Sequence, residues 1–258
     1  MAGWLGFPSQ EEVRMKFSSN TVLITGGASG IGFALAQRFI QGGSQVIICG
    51  RREYKLKEAR SKYPQLDFRV CDVAEPTERI ALYKWVTETC PDLNILVNNA
   101  GIQQRIDLKE TPDWKTLNQE VAINLEAPIH LSALFIPHLL KQKHPAIINV
   151  TSGLAFVPLA NAPVYCATKA ALHSFTLSLR HQLSASPIAV IEIIPPAVNT
   201  DLGGKGLHTF GASLDTFTDA IAEQLKTGSI EATYGFSVES SRATREQLEA
   251  IFKQMNQP

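Results

Sequence analysis

Six short apolar segments, each followed by a turn and an amphipathic stretch, constrain the fold of this chain more than any other feature. They are TVLIT (21–25), QVIIC (45–49), LDFRV (66–70), NILVN (94–98), AIINV (146–150) and IAVIEII (188–194). Segments that are apolar on both faces favour strands of a buried parallel sheet, and the stretches between them predict helices that cover it. We therefore predict an α/β fold: a single-domain Rossmann fold, with a doubly wound parallel sheet and helices on both faces.

The stretches between the segments define the predicted helices. Helices are expected over about 30–41 and 214–226, from Pro163 onward, and from Pro112 to Lys141 with Thr111 as the N-cap. A C-terminal helix is predicted because four apolar residues fall on one helical stripe: Leu248, Ile251, Phe252 and Met255.

The chain shows no internal repeat and no second domain. Residues 20–258 are predicted to form one domain, with a substrate lid near 201–217 where glycines interrupt the helical pattern. Residues 1–19 are predicted to be an N-terminal extension, because the first ~14 residues lack helical or strand periodicity.

The composition argues against several classes of function. Lys and Arg number 24, as do Asp and Glu, so no basic excess exists to hold nucleic-acid phosphates. The four cysteines have no CxxC spacing and no HExxH motif occurs, so we predict no metal site and free thiols in a reducing compartment. No apolar run approaches the ~20 residues of a membrane span. We expect a cytoplasmic protein that binds neither nucleic acid nor membrane.

The segment TGGASGIG (25–32) directly follows the first predicted strand and opens a helix, which is the context of a dinucleotide-binding turn. Gly26 permits a tight turn, while Gly30 and Gly32 let the backbone approach a pyrophosphate at the helix N-terminus. Ser29 and Ile31 of the same turn are further predicted cofactor contacts. The alternative is a turn of purely structural glycines.

The end of the second predicted strand indicates which dinucleotide is bound. NAD sites usually carry an acidic residue there, whereas this chain has Arg51 and Arg52. A carboxylate would repel a ribose 2′-phosphate, and a guanidinium can bind it with two hydrogen bonds. NADP(H) is therefore favoured over NAD(H). The alternative is that both arginines are only the solvated start of a helix.

The segment YCATK (165–169) places a phenol and an amine four residues apart. On a helix these side chains point the same way, one turn apart. An ammonium group beside a phenol favours loss of the phenolic proton, so Tyr165 and Lys169 are a candidate acid–base pair. The alternative is an ordinary surface pair.

Together these motifs resemble those of the short-chain dehydrogenase/reductase family, over about residues 20–200. The resemblance rests on TGGASGIG, CDV (71–73), NNAG (98–101), IN (123–124), TS (151–152) and YCATK, in this order. The segments NTVLITGGASGIGFALAQRF and RATREQLEAIFKQMN are similar to the DltE-like branch of bacterial oxidoreductases.

The resemblance implies a role for each matched residue. It implies a catalytic tetrad of Asn124, Ser152, Tyr165 and Lys169, with Tyr165 and Lys169 also touching the cofactor. It implies further cofactor contacts from Asp72, Val73, Asn98, Ala100, Gly101, Pro195, Val198 and Thr200. The chain departs from the family where Pro195-Pro196 replaces the usual Pro-Gly, which puts the loop from Ala197 to Thr200 in doubt.

The implied reaction is hydride transfer between nicotinamide and a carbonyl or alcohol substrate. Tyr165 would supply or take the proton, Ser152 would hold the carbonyl oxygen, and Asn124 would hold a water that relays protons. The family usually forms homodimers or homotetramers, so self-association is expected. Candidate walls of an apolar substrate pocket are Gln103, Leu154, Phe156, Pro158, Leu207, Phe210, Leu214 and Phe217.

Two other functions are compatible with parts of this pattern. A non-catalytic module could bind NADPH on the same fold, although the intact Ser152, Tyr165 and Lys169 argue against it. An extended epimerase or dehydratase is disfavoured, because the chain is too short for an added sugar-binding domain.

Overall fold

The computed structural model describes residues 14–257 and contains a sheet of parallel strands in the order β3-β2-β1-β4-β5-β6-β7. The strands are β1 (Thr21–Thr25), β2 (Gln45–Gly50), β3 (Asp67–Val70), β4 (Ile95–Asn98), β5 (Ala146–Val150), β6 (Ala189–Ile194) and β7 (Glu231–Thr233). The predicted doubly wound α/β fold is confirmed. The short strand β7 was not predicted, because three residues are too few to show a period.

Helices connect the strands and cover both faces of the sheet. They are α1 (Gly30–Gln41), α2 (Glu53–Lys62), α3 (Pro76–Thr89), α4 (Trp114–Val121), α5 (Ala127–Leu139), α6 (Pro163–Gln182), α7 (Leu214–Lys226), α8 (Phe236–Ser240) and α9 (Arg245–Met255). The predicted limits of α1 and α7 and the start of α6 agree with the structure.

Alternate residues of the central strands face opposite layers of helices. Leu23 of β1 packs with Ile47 and Leu96 in one apolar core, which α3 and α5 cover. Ile24 packs with its neighbours in a second core, which α1 and α7 cover. Because both faces are covered, β1 is buried along its whole length. This rigid sheet fixes where the loops at its carboxyl edge begin.

The predicted helix from Pro112 to Lys141 has a different internal structure. It begins at Trp114, and the segment Ala122–Glu126 between α4 and α5 is a π-helix. The prediction that Thr111 is the N-cap was wrong: Thr111 is left-handed (φ 50°) after the short 3₁₀ turn Leu108–Glu110. Asp113 precedes the helix in an extended conformation, so the first helical turn starts beyond Pro112.

Two residues of the predicted N-terminal extension belong to the core. Met15 and Phe17 are buried, and the ring of Phe17 stacks on Phe39 of α1 at a centroid distance of 4.5 Å. The Met15 N–H donates to the Leu225 carbonyl of α7 at 3.0 Å. Packing of the described chain therefore starts by Met15, within the predicted extension, while residues 1–13 lie outside the described part.

The C-terminal helix α9 was predicted from its apolar stripe. Its N-terminus carries a capping box in which Thr244 and Gln247 exchange hydrogen bonds. None of its residues is buried, and 40% of Phe252 is exposed. Between residues 14 and 257, no helix combines the length and apolarity that crossing a bilayer requires.

Candidate active site

The glycine turn between β1 and α1 has the backbone that the sequence predicted. Gly26 and Gly30 have φ values of 64° and 54°, which favour glycine. A Cβ at Gly32 would overlap the side-chain amide of Asn99, and a Cβ at Gly26 would lie 2.9 Å from the Ala100 Cα. The glycine at position 32 is therefore needed for packing against Asn99, and its predicted cofactor contact stays a prediction.

The N-terminus of α1 is open to an anion. Ser29 precedes the helix in an extended conformation, and its side chain makes no capping hydrogen bond to the helix. The backbone N–H groups of the first turn, including those of Ile31 and Gly32, therefore lack a side-chain cap. Together with the helix dipole, these groups form an arrangement that suits a phosphate.

Both predicted arginines lie at the rim of this turn. The Arg52 Nη2 donates to the Ser29 hydroxyl at 3.2 Å, and the Arg51 Nη1 lies 3.8 Å from the Asp72 carboxylate. Both arginine residues are exposed, so their guanidinium groups can rearrange around an anion. Asp72 also accepts from the Ala74 N–H at 3.0 Å, which fixes the turn after β3.

Two predicted cofactor residues have buried side chains. Asn98 is 2% exposed and its Nδ2 donates to Ser132 and Asn149, so a cofactor contact from Asn98 could come only from its backbone. The neighbouring Asn99, which the sequence analysis passed over, reaches under the glycine turn and donates to the Thr25 carbonyl at 2.9 Å. Val73 packs in the core and likewise could offer a cofactor little but backbone.

The chain after β6 returns to the glycine turn in spite of the Pro195-Pro196 pair. The Gly153 N–H donates to the Pro195 carbonyl at 2.9 Å. Val198 is buried and pairs with Ala212. A Cβ at Gly30 would lie 3.4 Å from Thr200 Cγ2, so Thr200 borders the predicted cofactor site.

Tyr165 and Lys169 lie on the inner face of α6, near Ser152. The Lys169 Nζ lies 5.7 Å from the Tyr165 ring centroid and donates to the Val150 carbonyl at 2.8 Å. Ser152 follows β5, and its hydroxyl accepts from the Leu154 N–H at 3.1 Å. All three residues are at least nine-tenths buried, so the alternative of a surface pair at 165 and 169 is ruled out.

Burial dominates the protonation of this pair. Burial raises the pKa of Tyr165 well above its ordinary value, and the Ser152 hydroxyl only partly offsets this effect. Burial also lowers the pKa of Lys169 to about 8, against the opposing effects of Glu120 and Glu192. Burial therefore outweighs the predicted lowering of the Tyr165 pKa by the nearby amine, and it favours the neutral phenol.

Asn124 sits in the π-helical segment and joins three elements. Its Oδ1 accepts from the Ile102 N–H at 2.9 Å, and its Nδ2 donates to the Ile102 carbonyl at 2.8 Å and to Thr168 at 3.2 Å. The Asn124 Oδ1 and the Lys169 Nζ lie 3.3 and 3.6 Å from the position of a Cβ at Gly101. Thus the four residues of the predicted tetrad occupy one region, and Ala100 and Gly101 border it.

A buried carboxyl that the sequence analysis missed lies beside the tetrad. Glu120 is fully buried on α4, one turn before Asn124. Its Oε1 accepts from the Gln104 N–H at 3.0 Å, and burial raises its pKa to about 7. The only sequence signal for Glu120 is its position four residues before Asn124 in EVAIN (120–124). Its burial depends on the distant segment 102–104, which this spacing does not reveal.

An apolar group of side chains borders Tyr165. It consists of Ala162 and Cys166 with Leu154, Leu159 and Leu202. Of this group, only Leu154 was predicted to be a pocket wall. The loop 158–160 that carries Leu159 is held by Asn256, which accepts from the Ala160 N–H and donates to the Pro158 carbonyl at 3.1 Å.

The segment 201–217, predicted to be a lid, is not a single loop. Residues 201–213 form turns with glycines at positive φ, and Gln103 lies against this loop, its carbonyl 3.1 Å from a Cβ placed at Gly203. Residues 214–217 are instead the first turn of α7, and Leu214 packs against the core. The assignment of Phe217 to the pocket wall was wrong, since this ring is fully buried in the core against Tyr234. Phe210 is 78% exposed and Leu207 is 37% exposed.

Comparison with known proteins identifies the family. The model of the short chain dehydrogenase family matches residues 20–209, which include the glycine turn, Asn124, Ser152, Tyr165 and Lys169. The chain belongs to the short-chain dehydrogenase family. Its members are oxidoreductases, and the predicted resemblance is confirmed.

A curated relative of this dehydrogenase is an oxidoreductase of Bacillus subtilis named DltE and described as uncharacterized. It is 51% identical over 249 residues, which cover 94% of this chain and 98% of the relative. This identity confirms the predicted DltE-like branch.

Solved structures share the fold of this dehydrogenase. A short-chain dehydrogenase from Streptomyces avermitilis superimposes with a TM-score of 0.80 at 23% identity, over 92% of this chain and 96% of that chain. One from Sphingobium yanoikuyae, in complex with NADPH, has a TM-score of 0.76 at 24% identity, over 90% and 92% of the two chains. At these identities the likeness shows the fold alone.

Proposed function

We propose that this dehydrogenase is an NADP(H)-dependent oxidoreductase that interconverts a carbonyl compound and its alcohol. The observation that carries the proposal is the meeting of Ser152, Tyr165 and Lys169 in one buried site beside Asn124. A neutral phenol next to a hydroxyl and an amine can donate a proton to an oxygen atom that gains negative charge.

The residues at the carboxyl edge of β1 fit a dinucleotide. The uncapped N-terminus of α1 would hold the pyrophosphate, and Gly26 and Gly30 keep the turn free of side chains. Arg51 and Arg52 would bind a ribose 2′-phosphate, which supports NADP(H) over NAD(H). When bound, this cofactor supplies or accepts the hydride.

The proposed roles of the remaining residues follow from their chemistry. Ser152 would donate a hydrogen bond to the substrate oxygen and hold it near Tyr165. Tyr165 would give this oxygen a proton during reduction. Lys169 would lower the free energy of the phenolate that is left, and Asn124 would order the chain after Gly101.

The raised pKa of Tyr165 favours the reductive direction at neutral pH. Reduction requires a protonated phenol, which is the form that burial stabilises. Oxidation requires a phenolate, so we expect alcohol oxidation to become faster as the pH rises.

The substrate is proposed to be an apolar carbonyl compound. Leu154, Leu159 and Leu202 border Tyr165, and these side chains would contact the part of the substrate next to its carbonyl group. The exposed rings and chains of the loop 201–213, such as Phe210, could cover a longer apolar portion.

A panel of aldehydes and ketones tested for NADPH oxidation checks the proposal, with the variant Tyr165→Phe as its companion. We expect this variant to bind NADPH as the wild type does, measured by nicotinamide fluorescence, while its turnover falls by ~10²-fold or more. Near-normal turnover would refute the role of Tyr165. NADPH binding without turnover on any carbonyl would support a non-catalytic module instead.

Self-association and a cytoplasmic location are part of the proposal. Ile129 of α5 and Leu177 of α6 are exposed apolar side chains that a second copy of the chain could cover. Light scattering after gel filtration would give the oligomeric state. The free thiols of Cys49, Cys71, Cys90 and Cys166 suit a reducing compartment.

A further inference from the structure

Glu120 is a buried acidic side chain, and only one of its two carboxyl oxygens accepts a hydrogen bond within the described residues. Its Oε1 accepts from the Gln104 N–H at 3.0 Å, whereas its Oε2 is buried with no hydrogen-bond partner among residues 14–257. Leaving an ionised carboxylate oxygen without a partner in the interior is costly, and a proton on this oxygen removes most of that cost. The site therefore favours a carboxyl group that can hold a proton.

Glu120 and Asn124 together bind the segment that follows Gly101. They are four residues apart on one helix, and they contact Gln104 and Ile102, two residues apart on the segment. This pairing places the carboxyl on the same side of the segment as Asn124.

The amine of Lys169 on α6 lies in the same region as Glu120: its Nζ and the Asn124 Oδ1 lie 3.6 and 3.3 Å from the position of a Cβ at Gly101, and Asn124 is one helical turn from Glu120. The nearby amine of Lys169 lowers the pKa of Glu120, although burial outweighs it and raises the value to about 7. Glu120 in turn opposes the burial that lowers the pKa of Lys169, and it adds to the burial that raises the pKa values of Tyr165 and Cys166. The Lys169 Nζ donates to the Val150 carbonyl, its one hydrogen bond within the described residues. Two of its three N–H groups remain for other partners.

We propose that Glu120 carries protons between solvent and Lys169 during turnover, a role that rests on the proposed reductase function. After Tyr165 has protonated the substrate oxygen, its phenolate takes a proton from the Lys169 ammonium. The Lys169 amine then takes the proton of the Glu120 carboxyl, directly or through a bridging water. The Glu120 carboxylate finally regains a proton from solvent, so each reduction consumes one solvent proton and restores every group.

A purely structural role for Glu120 makes a different prediction. As a structural residue it would only accept the Gln104 N–H, and a glutamine can do this equally well with its side-chain oxygen. Glu120→Gln therefore keeps the shape and this hydrogen bond while removing the exchangeable carboxyl proton. Glu126→Gln is the matched control, because Glu126 is exposed and lies on the same continuous helix.

The experiment compares the wild type with both variants in NADPH oxidation at pH values from about 5.5 to 9, with a carbonyl substrate found in the panel. We expect the turnover of Glu120→Gln to fall ~10-fold or more near pH 7 and to lose the ionisation near neutrality. We expect Glu126→Gln to stay within about twofold at every pH. NADPH oxidation by the wild type tests the proposed reductase function. If the wild type is active and Glu120→Gln has a normal rate and pH profile, only the proton-carrier role of Glu120 is overturned.

A second measurement is independent of turnover. Carbon NMR of protein labelled at the glutamate carboxyl carbons should show one carboxyl that titrates near neutrality and is missing in Glu120→Gln. If no glutamate titrates above about pH 6, the proposal is overturned. If the glutamine variant does not fold, the wild-type titration still decides, and Glu120→Asp should keep the ionisation in its pH profile.

Discussion

Asn124 binds both backbone polar groups of Ile102, accepting from its N–H at 2.9 Å and donating to its carbonyl at 2.8 Å. A side-chain amide thus takes the place of a neighbouring strand just beyond β4. Asn124 lies in the π-helical segment, where its amide is level with Ile102. Such segments are frequent at functional sites.

Replacing this amide should destabilise the fold. We expect Asn124→Ala to lower the free energy of unfolding by about 2–4 kcal/mol, because two backbone groups and Thr168 lose their partner. Urea unfolding followed by circular dichroism measures the change. Asn118→Ala, at an exposed position of α4, is the control and should change stability by less than about 0.5 kcal/mol. Equal effects would contradict the anchoring role.

The glycine turn allows a test of close packing. Gly32→Ala should lower the free energy of unfolding by about 1–3 kcal/mol, since the new methyl group would overlap the Asn99 amide. Gly50→Ala is the matched control, because nothing lies within 4 Å of a Cβ at that position. Urea unfolding compares the two variants. A harmless Gly32→Ala would mean that Asn99 can move away at little cost.

The arginines at the rim of the turn should determine cofactor preference. We expect Arg51→Ala to raise the KM for NADPH by ~10-fold or more, because a charge-assisted hydrogen bond to the 2′-phosphate is lost. The KM for NADH should stay within about twofold, since NADH lacks this phosphate. Steady-state kinetics with both cofactors measures this. Arg245→Ala, at a side chain that is 94% exposed, should change neither value. An equal loss with both cofactors would argue against 2′-phosphate binding by Arg51.

A buried ion pair predicts a pH-dependent stability. Glu192 is fully buried and lies 2.9 Å from the His173 Nδ1, and its hydrogen bond raises the pKa of His173. Because the folded-state pKa is higher, this stabilisation is complete below the ordinary value of 6.5 and disappears as the pH rises through the raised value.

The variant His173→Gln keeps an N–H donor but removes the charge. We expect it to lower the free energy of unfolding by about 1–3 kcal/mol near pH 6 and by much less near pH 9. Urea unfolding at the two pH values measures the difference. The same loss at both values would show that the histidine charge contributes nothing.

Phe217 and Phe210 should behave in opposite ways when truncated. Phe217→Ala should lower the free energy of unfolding by about 3–5 kcal/mol, because this ring of α7 is fully buried in the core. Phe210→Ala should change stability by less than about 0.5 kcal/mol and act on the KM for an apolar substrate, since Phe210 is 78% exposed. Thermal unfolding and kinetics separate the two effects. Comparable destabilisation would contradict the placement of these rings.

The local features of this protein could be predicted from short stretches of sequence. The apolar runs predicted the strands from β1 to β6, and Gly26 predicted the tight turn after β1, where its φ is 64°. The spacing of Tyr165 and Lys169 predicted that both lie on one face of a helix. Each of these features depends on the chemistry of neighbouring residues, which the sequence displays directly.

Other features depend on contacts between distant parts of the chain. Glu120 is buried because the segment 102–104 covers it, and Phe217 joins the core because α7 packs beside α1. Asn99, and not Asn98, donates to the glycine turn, because the side chain of Asn98 at the end of β4 points to Asn149 instead. The sequence by itself therefore determined the fold and which residues are candidates for chemistry. Only the tertiary structure decided which of their side chains are buried, charged or able to meet, because burial and electrostatic environment arise from packing between segments far apart in the chain.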